Sequence, residues 1–410
     1  MTVHVRFAPS PTGRMHPGNG RTALVNAVFA RRHGGRFTLR IDDTDLTREV
    51  PGAVEAIRRD LAWLGIPPDD ELRQSQRLAR YAEAAARLLD AGHAYTDEGT
   101  VRLRLAAAVV TWTDAIHGAM RIDLRRTPDP VLLRADGSPT YVLASCVDDV
   151  ATAISHVIRG DDHLANTAIH LKLIEALGAA PPTFAHLPLV VAPGGAPLSK
   201  RDGAVALEHL RERGVEAPPL VAYLLGLGTG HTLSAHDDPA ASLDLAGFGR
   251  AAPVFDPQEL GRAQDRWLAE LEAEAANVHL RARGLEPVDP ALWCLIRGNL
   301  GDRHAEDAWA GLPRLDRVPG WQRVVACPLQ GTLAAADAAD LATAADLLAD
   351  DIEPKAWLAA VTQATGRKGR NLLLPLRHAL TGRGDGPPIP DLIALIGRER
   401  ARRRLRGACA

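Results

Sequence analysis

The feature that most restricts the fold of this chain is a change of hydrophobic period across one glycine-bearing turn near its start. Val3, Val5 and Phe7 alternate with His4 and Arg6, the two-residue period of a strand. From Arg21 onward, Leu24, Val25, Val28 and Phe29 recur at helical spacing. The turn between them, APSPTGRMHPGNG, holds Gly13, Gly18 and Gly20 and one histidine, His16. Strand, turn and helix in that order are the unit from which open α/β sheets are built, and the helix entrance is a place where such sheets hold anions.

The alternation continues. Gly34-Gly35 ends the first helix, and RFTLRIDDTD, residues 36–45, reads as a second strand running into an acidic turn. Residues 51–64 and 77–89 read as helices, the first opened by Pro51 where proline is tolerated. Strand, helix, strand, helix predicts a parallel sheet with right-handed crossovers. Residues 94–139 break this rhythm: VRLRL, MRIDL and PVLLR are short β-like pieces joined by Gly, Asp and Pro, and read as an insertion. The α/β pattern resumes at Tyr141, with a strand at 154–160, a helix at 164–177 stopped by Gly178, and a strand at 184–192. A glycine-rich basic loop, GGAPLSKRDGAV, follows, and beyond about residue 211 helix succeeds helix with Pro and Gly joints. The expected fold is therefore α/β, a Rossmann-like parallel-sheet domain split by an insertion and followed by an all-helical C-terminal region.

A length of 410 residues suits two or three domains of roughly 100–200 residues each. The formal net charge of −2 excludes a polycation, so nucleic-acid contact must come from local basic patches. Cys146, Cys294, Cys327 and Cys409 are scattered, with no CxxC pair, which speaks against a disulfide framework or a structural zinc site. No apolar run approaches the roughly 20 residues that span a bilayer, and residues 1–20 lack the layout of a secretion signal. A cytosolic protein without membrane association is expected.

The chemistry concentrates in two loops. Glycine lets backbone come close to a ligand, and a histidine between Gly13 and Gly18 at a helix entrance can donate to a phosphate oxygen. Taken alone, the turn is neither GxGxxG nor a lysine-bearing phosphate loop, and both a structural turn and a surface histidine remain open readings. The second loop, Leu198-Ser199-Lys200-Arg201, follows a strand of the second α/β half. Its lysine suits a pyrophosphate leaving group, although a loop lysine is also commonly just solvated. One such loop in each half of a split α/β domain is far more specific than either.

Taken together these residues resemble glutamyl-tRNA synthetase of the bacterial type, a class I aminoacyl-tRNA synthetase family with a helical anticodon-binding region. FAPSPTGRMHPGNGRTAL is similar to the first family signature, with His16-Pro17-Gly18-Asn19 in the HIGH position, and PLSKRDGAV to the KMSKS loop. LRIDDTD, DGSPTY, HVIRGDDHLANT and FAHLPLV lie between them in the family order; PVFDPQEL and ATGRKGRNLLLPLRHALTGRGDGP extend the likeness into the helical half. The resemblance implies activation of L-glutamate by ATP, with Mg2+ accompanying the nucleotide, and transfer of the glutamyl group to tRNA. His16, Gly18 and Asn19 would bind ATP, and Lys200, with Ser199 and Arg201, would stabilise the departing pyrophosphate. Arg6 and Arg159 would grip the glutamate side chain, Ala8 and Ser10 would line the pocket, Tyr141 would add its phenol, and Asp42 would meet the α-ammonium. An arginine can hold a carboxylate through two parallel hydrogen bonds, which lysine cannot. The implied parts are residues 1–92 and 141–210 as the two catalytic halves, 93–140 as an acceptor-end insertion, 211–265 as a stem-contact region and 266–410 as the anticodon-binding region. The resemblance also implies a monomer.

The chain departs from the family pattern at four places. Asp42 stands where glutamate is frequent, Pro197 replaces the first lysine of the KMSKS-like loop, and Pro17 sits where an aliphatic residue is usual. The insertion after Gly92 is short and carries no zinc-binding cysteine cluster, so no metal ligands and no zinc are expected. Arg367, Lys368, Arg370 and Arg377, and the six arginines of 398–406, read either as phosphate contacts for RNA or as solvated helix faces. Two tRNA readings stand, glutamate tRNA alone or glutamine tRNA as well. The reading from another class is a repurposed or non-catalytic paralogue, motivated by the short insertion and Pro197. Retention of TGRKGRNLLLPLRHALTG argues against relatives that keep only the catalytic half.

Overall fold

A strand does lead through the glycine-bearing turn into a helix: β1 (His4–Phe7) is followed by α1 (Pro17–Arg32). A computed structural model describes every residue except Met1, 106–108, Pro197, 199–205, 302–306, Ala308, 327–336 and 408–410. The chain divides into two units, residues 1–260 and 261–410.

In the first unit β2 (Arg36–Ile41), α2 (Ala53–Trp63), β3 (Asp70–Arg73) and α3 (Leu78–Asp90) follow α1. β1, β2 and β3 form a parallel sheet in that order, with His4 opposite Arg36 and Thr38 opposite Asp70. The sequence pattern missed β3. Its residues, DELR, carry one apolar side chain at the sheet edge, so no period marks them.

Five strands come next: β4 (Ala94–Asp97), β5 (Thr100–Leu103), β6 (Val109–Asp114), β7 (Gly118–Asp123) and β8 (Val131–Leu133). They are followed by α4 (Tyr141–Ala151), β9 (His156–Gly160), α5 (Leu164–Ala176) and β10 (Thr183–Leu187). β4, β5 and β8 make a small antiparallel sheet, whereas the β6–β7 hairpin joins β10 and β9 in the order β7-β6-β10-β9. The pairing of β6 with β10 is parallel, at Phe184 opposite Asp114. The stretch that reads as an insertion thus supplies two strands to the second sheet. Leu103, Leu105, Leu124 and Leu132 also share one core with Tyr81, Leu88, Leu143, Cys146 and Leu173 of the flanking helices.

β1 and β9 bring the two sheets side by side. The Ser155 N–H donates to His4 O (2.9 Å), and Arg6 Nη1 reaches Ile158 O (3.5 Å), so both strands run the same way. Where the strand order reverses at such a junction, a crevice opens at the carboxyl ends of the strands, the position where open α/β sheets bind ligands. β10 stops at Leu187 because Pro188 has no N–H for the ladder, short of the expected 192. Two further helices, α6 (Leu207–Glu212) and α7 (Ala217–Gly226), follow the basic loop.

In the second unit the described residues are helical, with no strand among them. Trp293, Trp321 and Trp357 are fully buried there. Among the described residues no helix is long and apolar enough to cross a membrane.

Candidate active site

The helix entrance is built by His16. It is the N-cap of α1, and its Nδ1 accepts from the N–H groups of Gly18 (3.1 Å) and Asn19 (3.3 Å). Asn19 Oδ1 accepts in return from the His16 N–H (3.2 Å), completing a capping box. With Nδ1 an acceptor, the ring proton belongs on Nε2, the nitrogen able to donate to an anion at the helix N-terminus. Gly18 is required by this ring: a Cβ there would stand 2.9 Å from His16 Cε1. Pro17 occupies the first helical position, where its missing N–H costs nothing. The cap, not the apolar pattern, sets the start, so α1 begins four residues before the expected Arg21.

Ser199, Lys200 and Arg201 lie outside the described residues. The chain on the far side of their loop is tied to the His16 turn. Leu207 N–H donates to Met15 O (2.9 Å), and Arg14 pairs with Glu208 (3.0 Å) and donates to His209 Nε2 (2.6 Å).

At the junction of β1, β2 and β9 the structure gathers Arg6, Asp42, Tyr141 and Arg159, and adds Arg40 and Asp149. Arg6 Nε donates to Asp149 Oδ1 (3.1 Å), and the same oxygen accepts from Arg40 Nη1 (2.7 Å). Arg40 forks onto Asp42 through Nε (2.7 Å) and Nη2 (3.1 Å). Burial raises the Asp42 carboxyl against the pull of Arg40, whereas at Asp149 burial is outweighed by Arg6 and Arg40 and the carboxyl is held low. Both oxygens of Asp42 therefore serve Arg40, and an ammonium would have to use their remaining lone pairs. Arg40 and Asp149 were missed from the sequence. Arg40 had a signal, since Arg36, Thr38 and Arg40 form the polar set of β2, and the polar end of a strand beside the crevice faces the site.

Arg159 is buried and fans out over neutral acceptors. Its Nε donates to His186 Nε2 (3.2 Å), Nη1 to the Tyr141 hydroxyl (3.2 Å) and His170 Nδ1 (3.4 Å), and Nη2 to Thr167 Oγ1 (2.9 Å) and His163 O (3.4 Å). The Phe184 ring lies 5.5 Å from the guanidinium carbon. No carboxylate among the described residues pairs with Arg159, and burial works against its charge. His186, Thr167 and His170 are inaccessible, while Tyr141 and His163 are only half-buried, so an incoming group meets Arg159 from the Tyr141–His163 side. Burial raises the Tyr141 phenol, opposed by Arg159. Ala8 is half-buried and Ser10 exposed after β1; the Ser10 hydroxyl makes no hydrogen bond among the described residues.

Three buried guanidiniums, Arg6, Arg40 and Arg159, thus face two carboxylates, Asp42 and Asp149. A buried cation without a partner is costly, so the arrangement favours an anionic ligand. Among the described residues no group of three or more His, Cys, Asp or Glu side chains could hold a metal ion.

In the helical unit the run 398–406 divides between internal ties and an exposed face. Four of its arginines are taken up by internal partners, while Arg403 and Arg406 stay exposed in surface ion pairs. Arg398 donates to Ala349 O (2.7 Å), Arg400 to Val325 O (2.5 Å), and buried Arg404 to Val324 O and Leu380 O (both 2.8 Å). Arg402 pairs with Asp350, Arg403 with Glu399 (2.6 Å) and Arg406 with Asp346 (2.7 Å). Arg367 pairs with Asp337 and Asp340 (both 2.7 Å), and Arg377 donates to Pro387 O (2.6 Å). Lys368 and Arg370 have no carboxylate partner among the described residues; with Asp337, Arg367 and Asn371 they line a cavity of about 690 Å³.

Comparison with known proteins agrees with this architecture. Residues 2–102 and 97–238 match the family model described as tRNA synthetases class I (E and Q), catalytic domain, and residues 332–409 match the model described as anticodon binding domain. The chain is 42% identical to a protein named glutamate–tRNA ligase 2 of Methylobacterium sp. (strain 4-46), with all of both chains covered. That alignment runs over 462 positions, so the relative carries residues that this 410-residue chain lacks. It is 40% identical to glutamate–tRNA ligase 1 of Rhodospirillum rubrum, with 99% of each chain covered. Among solved structures it resembles a glutamate tRNA ligase from Elizabethkingia meningosepticum in complex with its amino acid, at TM-score 0.81 and 25% identity over 100% of this chain and 99% of that one.

Proposed function

This chain belongs to the class I tRNA synthetases of the glutamate and glutamine group, and from that premise we propose that it is a glutamate–tRNA ligase acting in the cytoplasm. The observation that carries the choice of amino acid is Arg159, a buried guanidinium with five neutral contacts and no carboxylate partner among the described residues. A side-chain carboxylate supplies the missing charge by taking over the long bonds toward Tyr141 and His163. Glutamine, being neutral, would leave the cation uncompensated.

The reaction has two steps. The α-carboxylate of glutamate attacks the α-phosphorus of ATP, forming glutamyl-adenylate and releasing pyrophosphate. The terminal ribose hydroxyl of tRNA then attacks the activated carbonyl and releases AMP. Magnesium enters with the nucleotide as part of the substrate. His16 Nε2–H and the first-turn amides of α1 would meet the phosphates, where aligned donors are worth most as charge develops. Ser199, Lys200 and Arg201 would stabilise the departing pyrophosphate, consistent with the tie between the far side of their loop and the His16 turn. Asp42 would receive the α-ammonium, and Ala8, Ser10 and Tyr141 would line the pocket. The five-part division, from the catalytic halves 1–92 and 141–210 to the anticodon-binding region 266–410, goes with this reading, as does a monomer.

The test is transfer of labelled glutamate to total tRNA with ATP, then to purified glutamate and glutamine tRNAs. Acylation of glutamate tRNA is expected, and the pair of tRNAs measures discrimination. Pyrophosphate exchange without acylation would support a repurposed enzyme with another acceptor. Absence of both activities would overturn the ligase reading.

A further inference from the structure

We propose that Asp114 and His186 are positioning residues for the amino-acid substrate: Asp114 fixes the His186 tautomer, and His186 Nε2 in turn fixes the guanidinium plane of Arg159. The proposal rests on the glutamate reading above. Neither residue was singled out from the sequence, and Asp114 lies in the stretch set aside there as an insertion.

The His186 ring is fully buried, and its Nδ1 lies 2.6 Å from Asp114 Oδ2. Asp114 is held at about 2: burial pushes it up, but the bonds from His186 and from the His117 and Ile116 amides pull it further down. An ionised carboxylate only accepts, so Nδ1 carries the proton and Nε2 is left as an acceptor. That acceptor faces Arg159 Nε–H at 3.2 Å and the Thr167 hydroxyl at 2.9 Å. The Nε edge of the guanidinium is thereby pinned on the buried side, leaving Nη1 and Nη2 aimed toward Tyr141 and His163. A neutral acceptor does this without cancelling the charge needed for the substrate. A carboxylate in the place of His186 would pair with Arg159 and remove the reason for it to bind an anion.

The two oxygens of Asp114 have separate duties. Oδ1 accepts from the N–H groups of Ile116 (3.0 Å), His117 (3.0 Å) and His186 (3.3 Å), which shapes the turn of the hairpin. Only Oδ2 meets the imidazole. In Asp114→Asn the three amides retain the carbonyl oxygen, so the new NH2 points at His186 Nδ1. The ring then carries its proton on Nε2, and two N–H donors confront each other across the bond to Arg159. Loss of the correct tautomer behind an intact frame is a known way to disable such an assembly.

The experiment is glutamate-dependent, tRNA-supported ATP–pyrophosphate exchange on the full chain. Asp114→Asn is expected to raise the glutamate KM about ten- to hundredfold, as for loss of a charged hydrogen bond, with the ATP KM and melting temperature close to wild type. In a His186→Gln background, where the side-chain oxygen accepts without a tautomer, Asp114→Asn should add less than about threefold. An unmoved glutamate KM, equal rises for glutamate and ATP, or full additivity would each overturn the proposal. Should Asp114→Asn fail to fold, His186→Leu against His186→Gln tests the acceptor directly: glutamate KM is expected about tenfold higher in the leucine variant, and equal values overturn the proposal. A wild type inactive with glutamate would overturn the functional reading and this proposal with it; an active wild type separates the two.

Discussion

At His16 the two ring nitrogens face different tasks. Nδ1 holds the first turn of α1 by accepting two amides, and the proposed role of Nε2 is donation to phosphate. Substitution can divide them. Asparagine is among the best N-caps, so His16→Asn should melt within a degree or two of wild type, whereas His16→Ala should lose about 1 kcal/mol of helix cap. Both should lower glutamate activation on the order of 10²-fold, the effect of removing one donor to developing charge. If His16→Asn kept activation within about twofold of wild type, the imidazole would be a cap and nothing more. Gly18 belongs to the same device, since its missing Cβ is the space that the ring occupies. Arginine 40 teaches the complementary lesson. Its strand position was legible, but its role depends on Asp149 of α4 lying across the crevice, 109 residues away in sequence.

At the scale of elements, the β6–β7 hairpin and the last helix each changed meaning once packing was seen. β6 alternates like any strand, yet what it does is pair with β10 and present Asp114 beneath His186. The helix Arg398–Leu405 looks from its charge like a polyanion-binding face. Instead Arg398, Arg400 and Arg404 reach back to main-chain carbonyls and Arg402 to Asp350, while Arg403 and Arg406 stay exposed. Arg404→Ala would strip Val324 O and Leu380 O of a buried donor, and should cost about 2–4 kcal/mol, read as a fall in the melting temperature of the helical unit. A melting temperature unchanged by Arg404→Ala would return this helix to the solvent-facing class.

At the scale of the whole molecule, the net charge of −2 leaves tRNA binding to patches, and internal pairing narrows the choice. Arg367 is taken up by two aspartates, and Lys368 and Arg370 remain at the mouth of an open cavity. Lys368→Ala and Arg370→Ala should leave melting unchanged, weaken tRNA binding, and each flatten the log–log salt dependence by about 0.7–0.9 where one phosphate contact is lost. An unaltered salt slope in both would place the RNA surface elsewhere. The sequence by itself determined the alternation of strands and helices in the first unit apart from β3, β4 and β6, the helical character of the second, and the identity of Arg6, His16, Tyr141 and Arg159 as site candidates. The elements follow from hydrophobic period and turn residues, and the site candidates from ordered motifs that resemble the family's, all of them local along the chain. Only the tertiary structure decided where the edge strand β3 lies, that the hairpin completes the second sheet, that Arg40 and Asp149 lie against Arg6 and that Asp114 and His186 lie behind Arg159, and that Arg398, Arg400, Arg402 and Arg404 are internal ties. The physical reason is common to them all: a charged side chain looks the same in sequence whether it meets water, a carbonyl or a buried counter-charge, and only the partner brought to it by the fold distinguishes the three.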